Sequence, residues 1–166
     1  MKAVLSEQGY LLDTVQNIYC RPGYREIDYN DGDAVEEKIA AIVSAASDVS
    51  LFSEELRVAC TDWVTTCHLH ATRTNLLRPF RPLLAGKVLE IGAGCGALTR
   101  YLGECGAEVI ALEGSRRRAA IAAARTRDLP NVCVVADEFD LFTWEQSFDC
   151  VILVGVLEYA GLFSVA

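Results

Sequence analysis

A run of glycines and a set of acids carry the chemistry of this 166-residue chain. The run is Val88-Leu89-Glu90-Ile91-Gly92-Ala93-Gly94-Cys95-Gly96-Ala97. Glycines at 92, 94 and 96 let the backbone turn tightly, and let a ligand approach where a Cβ would otherwise stand. A helix beginning near Ala97 then points its free N–H groups at that ligand. Gly92, Gly94 and Ala97 also fill the G-x-G-x-x-A places of the dinucleotide fingerprint, so the loop alone leaves several nucleotides open. Glu90, two residues before the first glycine, suits a ligand carrying an ammonium or hydroxyls better than one presenting a pyrophosphate. Glu113 lies 21 residues beyond Gly92, where an acid accepts from a ribose diol. In Val134-Val135-Ala136-Asp137-Glu138-Phe139 the acid comes straight after an apolar run. An Asp there can accept from an adenine amino group while the adjacent backbone N–H meets a ring nitrogen.

These residues need strand ends to hold them, and from Gly86 onward the pattern supplies strands. Val88–Ile91, Val109–Leu112, Val132–Val135 and Cys150–Val156 are apolar runs, continuous as in strands covered on both faces. Between the first two, Leu98, Tyr101, Leu102 and Cys105 share one helical face, and Gly106 is a natural stop. Ser115 can cap a helix through about Arg127, broken by Pro130. The order β-α-β-α-β-(loop)-β predicts a parallel sheet of Rossmann type with right-handed crossovers. The first 80 residues read instead as a helical cap on a domain spanning 81–166. Cys20–Gly32 is rich in turn residues. Asp33 stands three residues before Glu36, a capping-box-like start for a helix to about Ala46, with Val35, Ile39, Ile42 and Val43 on one face. Ser53 followed by Glu54 and Glu55 opens another helix.

Composition limits the partners. Fifteen Lys and Arg against 23 Asp and Glu leave a net charge of −8, the wrong balance for neutralising a phosphate backbone, so nucleic acid is not the expected partner. The longest apolar run, Cys150–Leu157, falls far short of the roughly 18 residues needed to cross a bilayer. No basic cap followed by a long apolar stretch opens the chain. The odd count of 7 scattered cysteines reads as reduced thiols, and a cytoplasmic location is expected.

The segments E-I-G-A-G-C-G at 90–96, the acid at 113, A-D-E-F at 136–139 and F-D-C-V-I-L-V-G-V-L-E-Y at 148–159 resemble successive motifs of class I S-adenosylmethionine-dependent methyltransferases. The resemblance covers about Lys87 to Ala160. It implies S-adenosylmethionine as cofactor and methyl transfer to an oxygen or nitrogen of a saccharide or other small molecule. Gly92, Ala93, Gly94 and Gly96 would line the methionine part of the cofactor, with Glu90 near its amino group. Glu113, with Gly114 beside it, would hold the ribose, and Asp137 with Glu138 the adenine. The stretch His68-Leu69 … Arg73-Thr74-Asn75-Leu76-Leu77-Arg78 resembles a lead-in segment of methyltransferase domains in bacterial cell-surface polysaccharide proteins, which adds Arg73 to the cofactor candidates. A complete fold of this family has seven strands, ordered 3-2-1-4-5-7-6, whereas the sequence ends shortly after the fourth. The reading is therefore the cofactor-binding part of a longer chain, with the fourth strand an apolar edge open to self-association.

Other readings stand beside these. An NAD-dependent oxidoreductase fragment shares the glycine loop, but Glu90 and Asp137 disfavour it. A non-catalytic nucleotide-binding or interaction module is the third option. Tyr159, just beyond the fourth strand, is either a general base with a lowered pKa or a wall of the acceptor site. Cys60, Cys67, His68 and His70 match no familiar four-ligand zinc spacing, and no metal is expected. Arg116, Arg117, Arg118, Arg125 and Arg127 make a basic helix face, read as solvated or as facing an anionic partner. Cys95 is a small filler residue in the loop.

Overall fold

Apolar strands flanked by helices leave few ways to bury both faces of a sheet, and the chain adopts the doubly covered one. The structure, a computed structural model, describes residues 1–24 and 32–157. Helices α1 (Lys2–Glu7), α2 (Asp33–Ala45), α3 (Glu54–Ala59), α4 (Trp63–Leu69), α5 (Ala97–Glu104) and α6 (Arg116–Arg125) surround one sheet. Its strands are β1 (Leu11–Asp13), β2 (Ile18–Cys20), β3 (Lys87–Ile91), β4 (Glu108–Glu113), β5 (Val132–Ala136) and β6 (Cys150–Leu153). They lie in the order β1-β2-β5-β4-β3-β6. All pairings are parallel except that of β1 with β2. The core order β5-β4-β3-β6 is the 3-2-1-4 arrangement that the family resemblance implies, with β6 outermost among the described strands.

Alternate residues of each strand face opposite layers. Val88, Val109, Ala111, Val134, Ala136 and Ile152 pack under α5 and α6, against Leu98, Leu102, Ala119 and Ala122. Leu89, Ile91, Ile110, Leu112, Cys133 and Val135 form the other layer with Leu5, Tyr10 and Tyr19, flanked by Phe142, Trp144 and Phe148. On β6 that second layer thins, and Val151 is 50% exposed and Leu153 37%. No helix among the described residues is long and apolar enough to cross a membrane.

The N-terminal residues are not only helical. Leu11–Asp13 and Ile18–Cys20 form a hairpin that joins the sheet beside β5, with Tyr19 opposite Val135 and Cys20 opposite Ala136. Its turn is local chemistry: Asp13 Oδ1 accepts the N–H groups of Val15 and Gln16 at 2.9 and 3.1 Å, and Asn17 takes a left-handed φ of 55°. Strands of three residues are too short to show a period-two pattern, which is why the sequence reads as cap alone.

Helix starts came out unevenly. Ser53 caps α3 as its position predicts, accepting from Leu56 N. Asp33 does not cap α2; Gly32 is the N-cap and Asp33 the first helical residue. Asp33 and Glu36 face across to α6 instead, where Arg117 and Arg118 meet them at 2.7 and 2.6 Å. The same finding corrects the solvated basic face. Arg116 binds Asp13 of the hairpin, Arg125 donates to the carbonyls of His68 and Leu69 at 3.1 and 2.8 Å, and Arg127 to that of Val43. Arg125 is fully buried, and burial pushes its pKa down to about 10. The arginines of α6 thus fasten the hairpin, α2 and α4 to the sheet layer.

Arg118 and Glu36 are both buried, so removing the arginine takes from Glu36 its nearest cation where little water can replace it. Arg118→Met alone is expected to lower the unfolding free energy by about 3–5 kcal/mol. Arg118→Met with Glu36→Leu should recover most of that loss, because no charge then remains buried. Urea unfolding of the wild type, both single variants and the double variant checks this; additive losses would show that the two groups do not act as a pair.

Candidate functional site

Three neighbouring parallel strands end together, and one of the acids lies at or within one residue of each end. In register, Glu90 on β3 stands opposite Ala111, and Glu113 on β4 stands opposite Ala136, the residue before Asp137. Beyond β3 the chain folds over the end of β4: Gly92 N and Ala93 N both donate to Leu112 O, at 2.9 and 3.0 Å. Gly94 N then donates to Glu113 Oε2 at 2.6 Å, and Ser115 N, the cap of α6, donates to Oε1 at 2.9 Å. One carboxylate therefore ties the glycine loop to the start of the next helix.

The glycines have separate reasons to be glycine. A Cβ on Gly92 would lie 2.4 Å from Val156 Cγ2, and one on Gly96 2.8 Å from the Cα of Ala122, so both are set by packing. Gly94, at a φ of +56°, has nothing within 4 Å of that position. It is the loop position where backbone, not side chain, faces open space. Ala93 is buried, and its carbonyl accepts from Gly96 N at 3.0 Å, closing the turn into α5. Cys95 packs among Ile39, Val43, Leu69 and Ile121, the filler role its position suggests.

Burial shapes the electrostatics. Glu90 is 3% exposed, Glu113 7% and Asp137 2%. Desolvation pushes Glu90 up to about 8, aided by the Glu113 charge and opposed by the Thr99 hydroxyl and the Arg73 guanidinium. Thr99 Oγ1 donates to Glu90 Oε2 at 2.6 Å. Burial also raises Glu113, with its backbone donors from Ser115 and Gly94 opposing. Arg73 sits half-buried on the 3-10 turn Ala71–Leu76, which packs against α5.

At the third acid, Tyr10 Oη and Arg21 Nε both donate to Asp137 Oδ2, the latter at 2.8 Å. Asp137 Oδ1 accepts from Glu138 N at 2.9 Å. The Gly114 carbonyl accepts from the Tyr24 hydroxyl. These contacts of Tyr10, Arg21 and Tyr24 were not legible in the sequence, since nothing local marks a pairing that spans 90 to 127 positions. Tyr159 lies outside the described residues. Among the described residues no group of three or more His, Cys, Asp or Glu is arranged to hold a metal ion. Cys60 Sγ is directed at the Leu56 carbonyl, and His70 Nδ1 accepts from Thr72 N at 3.2 Å.

This donor set fits a cationic nucleoside. Each Glu113 oxygen accepts one backbone N–H and keeps a lone pair for a diol. Glu90 offers a carboxylate for an ammonium, and the space at Gly94 admits a chain lying along the backbone.

Residues 89–164 match the family described as "Methyltransferase domain". Among curated proteins the chain is similar to a ribosomal RNA small subunit methyltransferase A from Streptococcus pneumoniae (strain P1031), at 49% identity over 64 residues, 37% of this chain and 22% of that protein. It is 52% identical over 64 residues to the protein of the same name from Streptococcus equi subsp. zooepidemicus, with the same coverage. The chain thus spans only about 22% of the length of these curated relatives. Among solved structures it is similar to a coclaurine N-methyltransferase bound to N-methylheliamine and SAH, at 15% identity over 92% of this chain and 41% of that one, with a TM-score of 0.48. A methyltransferase from Thiobacillus denitrificans in complex with S-adenosylhomocysteine gives 18% identity, 80% and 46% coverage and a TM-score of 0.46. The family match runs from within β3 through β6, over the strand ends and the glycine loop described above.

Proposed function

We propose that the protein binds S-adenosylmethionine at the ends of β3, β4 and β5 and transfers its methyl group to an oxygen or nitrogen of a small molecule. The observation that carries this reading is the open backbone at Gly94 bracketed by the buried carboxylates Glu90 and Glu113. When bound, the cofactor supplies a sulfonium methyl, an electrophile that needs positioning and a dry site more than an acid or base. In this reading Glu90 takes the ammonium of the methionine part and Arg73 its carboxylate. Gly92, Ala93, Gly94 and Gly96 form the wall along which that part lies. Glu113 and Gly114 hold the ribose, and Asp137 and Glu138 the adenine edge. Residues 1–80 act as a cap that completes the site rather than as a separate unit, since they contribute Arg73.

A saccharide is the acceptor class supported by the resemblance of the segment around Arg73. The names of the curated relatives suggest RNA, but the stretch shared with them is 64 residues, and the net charge of −8 opposes a polyanion. Tyr159 is a candidate for the acceptor wall.

Calorimetric titration with S-adenosylmethionine, S-adenosylhomocysteine and NAD side by side tests the reading, and preference for NAD overturns it. Glu113→Ala should weaken cofactor binding by roughly 10- to 150-fold, the loss expected for hydrogen bonds to a charged acceptor. Unchanged affinity in a folded variant would remove Glu113 from the site.

Glu90 gives a pH dependence with a definite sign. Its pKa of about 8 in the fold, against an ordinary 4.5, means that it is protonated near neutrality. Its contribution to stability is complete below the ordinary value and is lost as pH rises from there towards 8. A bound ammonium favours the ionised form, so binding expels the proton and tightens with pH. Affinity should rise by up to about tenfold from pH 6.5 to 7.5, with proton release seen as a buffer-dependent binding heat. Glu90→Gln should bind more weakly and lose both effects; a wild-type affinity flat across that range would contradict the assignment.

A further inference from the structure

The parallel pairing of β2 with β5 has a consequence at the strand ends. Cys20 stands opposite Ala136, so the next residues, Arg21 and Asp137, emerge side by side. Leu11 stands opposite Cys20, so Tyr10 falls next to Arg21; Glu113 stands opposite Ala136, so Gly114 falls next to Asp137. Tyr10, Arg21, Asp137 and Gly114 therefore form a row across four strands. Within it the Arg21 guanidinium carbon lies 5.3 Å from the centre of the Tyr10 ring, and both residues donate to the same oxygen, Asp137 Oδ2. A second Arg21 donor, Nη2, also reaches that oxygen and the Leu141 carbonyl.

A carboxylate has two equivalent oxygens on a soft terminal torsion, so by itself Asp137 has no preferred acceptor. The row removes that freedom. Oδ2 is saturated by the tyrosine and the arginine, while among the described residues Oδ1 meets only Glu138 N and keeps a lone pair. Oδ1 and the Glu138 N–H, which donates to it at 2.9 Å, stand together, so a base edge that binds both shares or replaces that bond and meets an acceptor beside a donor. That is the complement of the adenine edge, whose amino group donates and whose N1 accepts. Burial and the Asp137 carboxylate raise the Tyr10 pKa, so its hydroxyl remains a donor throughout the neutral range.

We propose that Tyr10 and Arg21 of the N-terminal hairpin are positioning residues for nucleobase recognition: by holding Asp137 Oδ2 they present Oδ1 and the Glu138 N–H to the adenine edge. The inference rests on the cofactor reading above and adds to it a specificity device outside the methyltransferase segment. The hairpin fixes which base the site accepts.

The test measures a preference rather than an activity. S-adenosylhomocysteine and S-inosylhomocysteine differ at the base edge, where inosine carries a carbonyl and a protonated N1 in place of the amino group and bare N1. Calorimetric titration of the wild type should show clear preference for the adenosine compound. Tyr10→Phe, which keeps the ring and removes only the hydroxyl, should weaken binding of S-adenosylhomocysteine roughly 5- to 20-fold and change that of S-inosylhomocysteine less than about twofold. Arg21→Lys, which keeps the charge but loses the fork, should narrow the preference in the same direction. Tyr10→Phe combined with Asp137→Asn should lose little beyond Asp137→Asn alone, because the tyrosine acts through the aspartate. Parallel weakening of both compounds would make the hairpin a purely structural support and overturn the proposal. Tighter binding of S-adenosylhomocysteine in Tyr10→Phe would overturn it too, by making the hairpin an obstruction. Failure of the wild type to bind either compound would overturn the cofactor reading itself, whereas binding with an unaltered preference in both variants removes only the hairpin's role.

Discussion

Helix α6 holds the molecule together through its arginines, and what the N-terminal residues bring to the site depends on that attachment. Arg116 reaches the hairpin, Arg117 and Arg118 reach α2, Arg125 reaches the end of α4, and Arg127, just beyond the helix, reaches the end of α2. Two kinds of bond are involved. Arg118 meets a buried carboxylate, whose desolvation is tolerable only because the pair is close and complementary. Arg125 meets the backbone carbonyls of His68 and Leu69, acceptors at the C-terminal end of α4 that lack partners within the helix. An arginine suits both tasks, since its fork offers several donors at fixed angles. Apolar packing between α2 and α6, through Ile39, Val43 and Ile121, supplies the undirected part of the attachment.

The same helix anchors the site from its other end. Ser115 begins α6, and its N–H and that of Gly94 share the two oxygens of Glu113. Glycine loop, strand end and helix start are thereby fixed by one side chain. Burying that carboxylate is costly, but two backbone donors offset the cost before any ligand arrives. Glu90 is opposed in its desolvation by the Thr99 hydroxyl and the more distant Arg73 charge, with no backbone donor among the described residues, so burial acts on it with less opposition. Two acids of the same site thus carry different protonation tendencies because their neighbours differ, not because of their own chemistry.

The sheet from residue 86 onward was legible because its signals are local: apolar runs of strand length, a glycine turn, a capping serine and a helix stop. The position of the acids at 90, 113 and 137 near the carboxyl ends of strands was legible for the same reason, since each lies within or directly after an apolar run of strand length. What escaped the sequence reading depends on distance. The arginines looked like a solvated face because helical spacing groups them together, while their partners lie up to 103 positions away. Asp33 and Glu36 have capping-box spacing, but α6 offers their carboxylates a stronger charged partner than their own backbone. Strands of three residues leave no periodicity to read, so the hairpin and its Tyr10 and Arg21 had no local mark.

Adding a hairpin to the β5 side of the sheet also settles an edge. Without β2, the strand ending in Asp137 would present free N–H and C=O groups to any other chain. Pairing in parallel with β2 satisfies part of that edge, and β1 then closes the sheet with a short antiparallel strand. A three-residue outer strand is a poor template for further pairing, which is how natural sheets commonly blunt an edge. Protecting the edge and covering the third acid follow from one geometric fact, the register of Cys20 against Ala136. Shifting that register by one residue would turn Tyr19 from its layer to the opposite face and carry Arg21 away from Asp137. Edge protection and the ion pair at the strand end therefore stand or fall together.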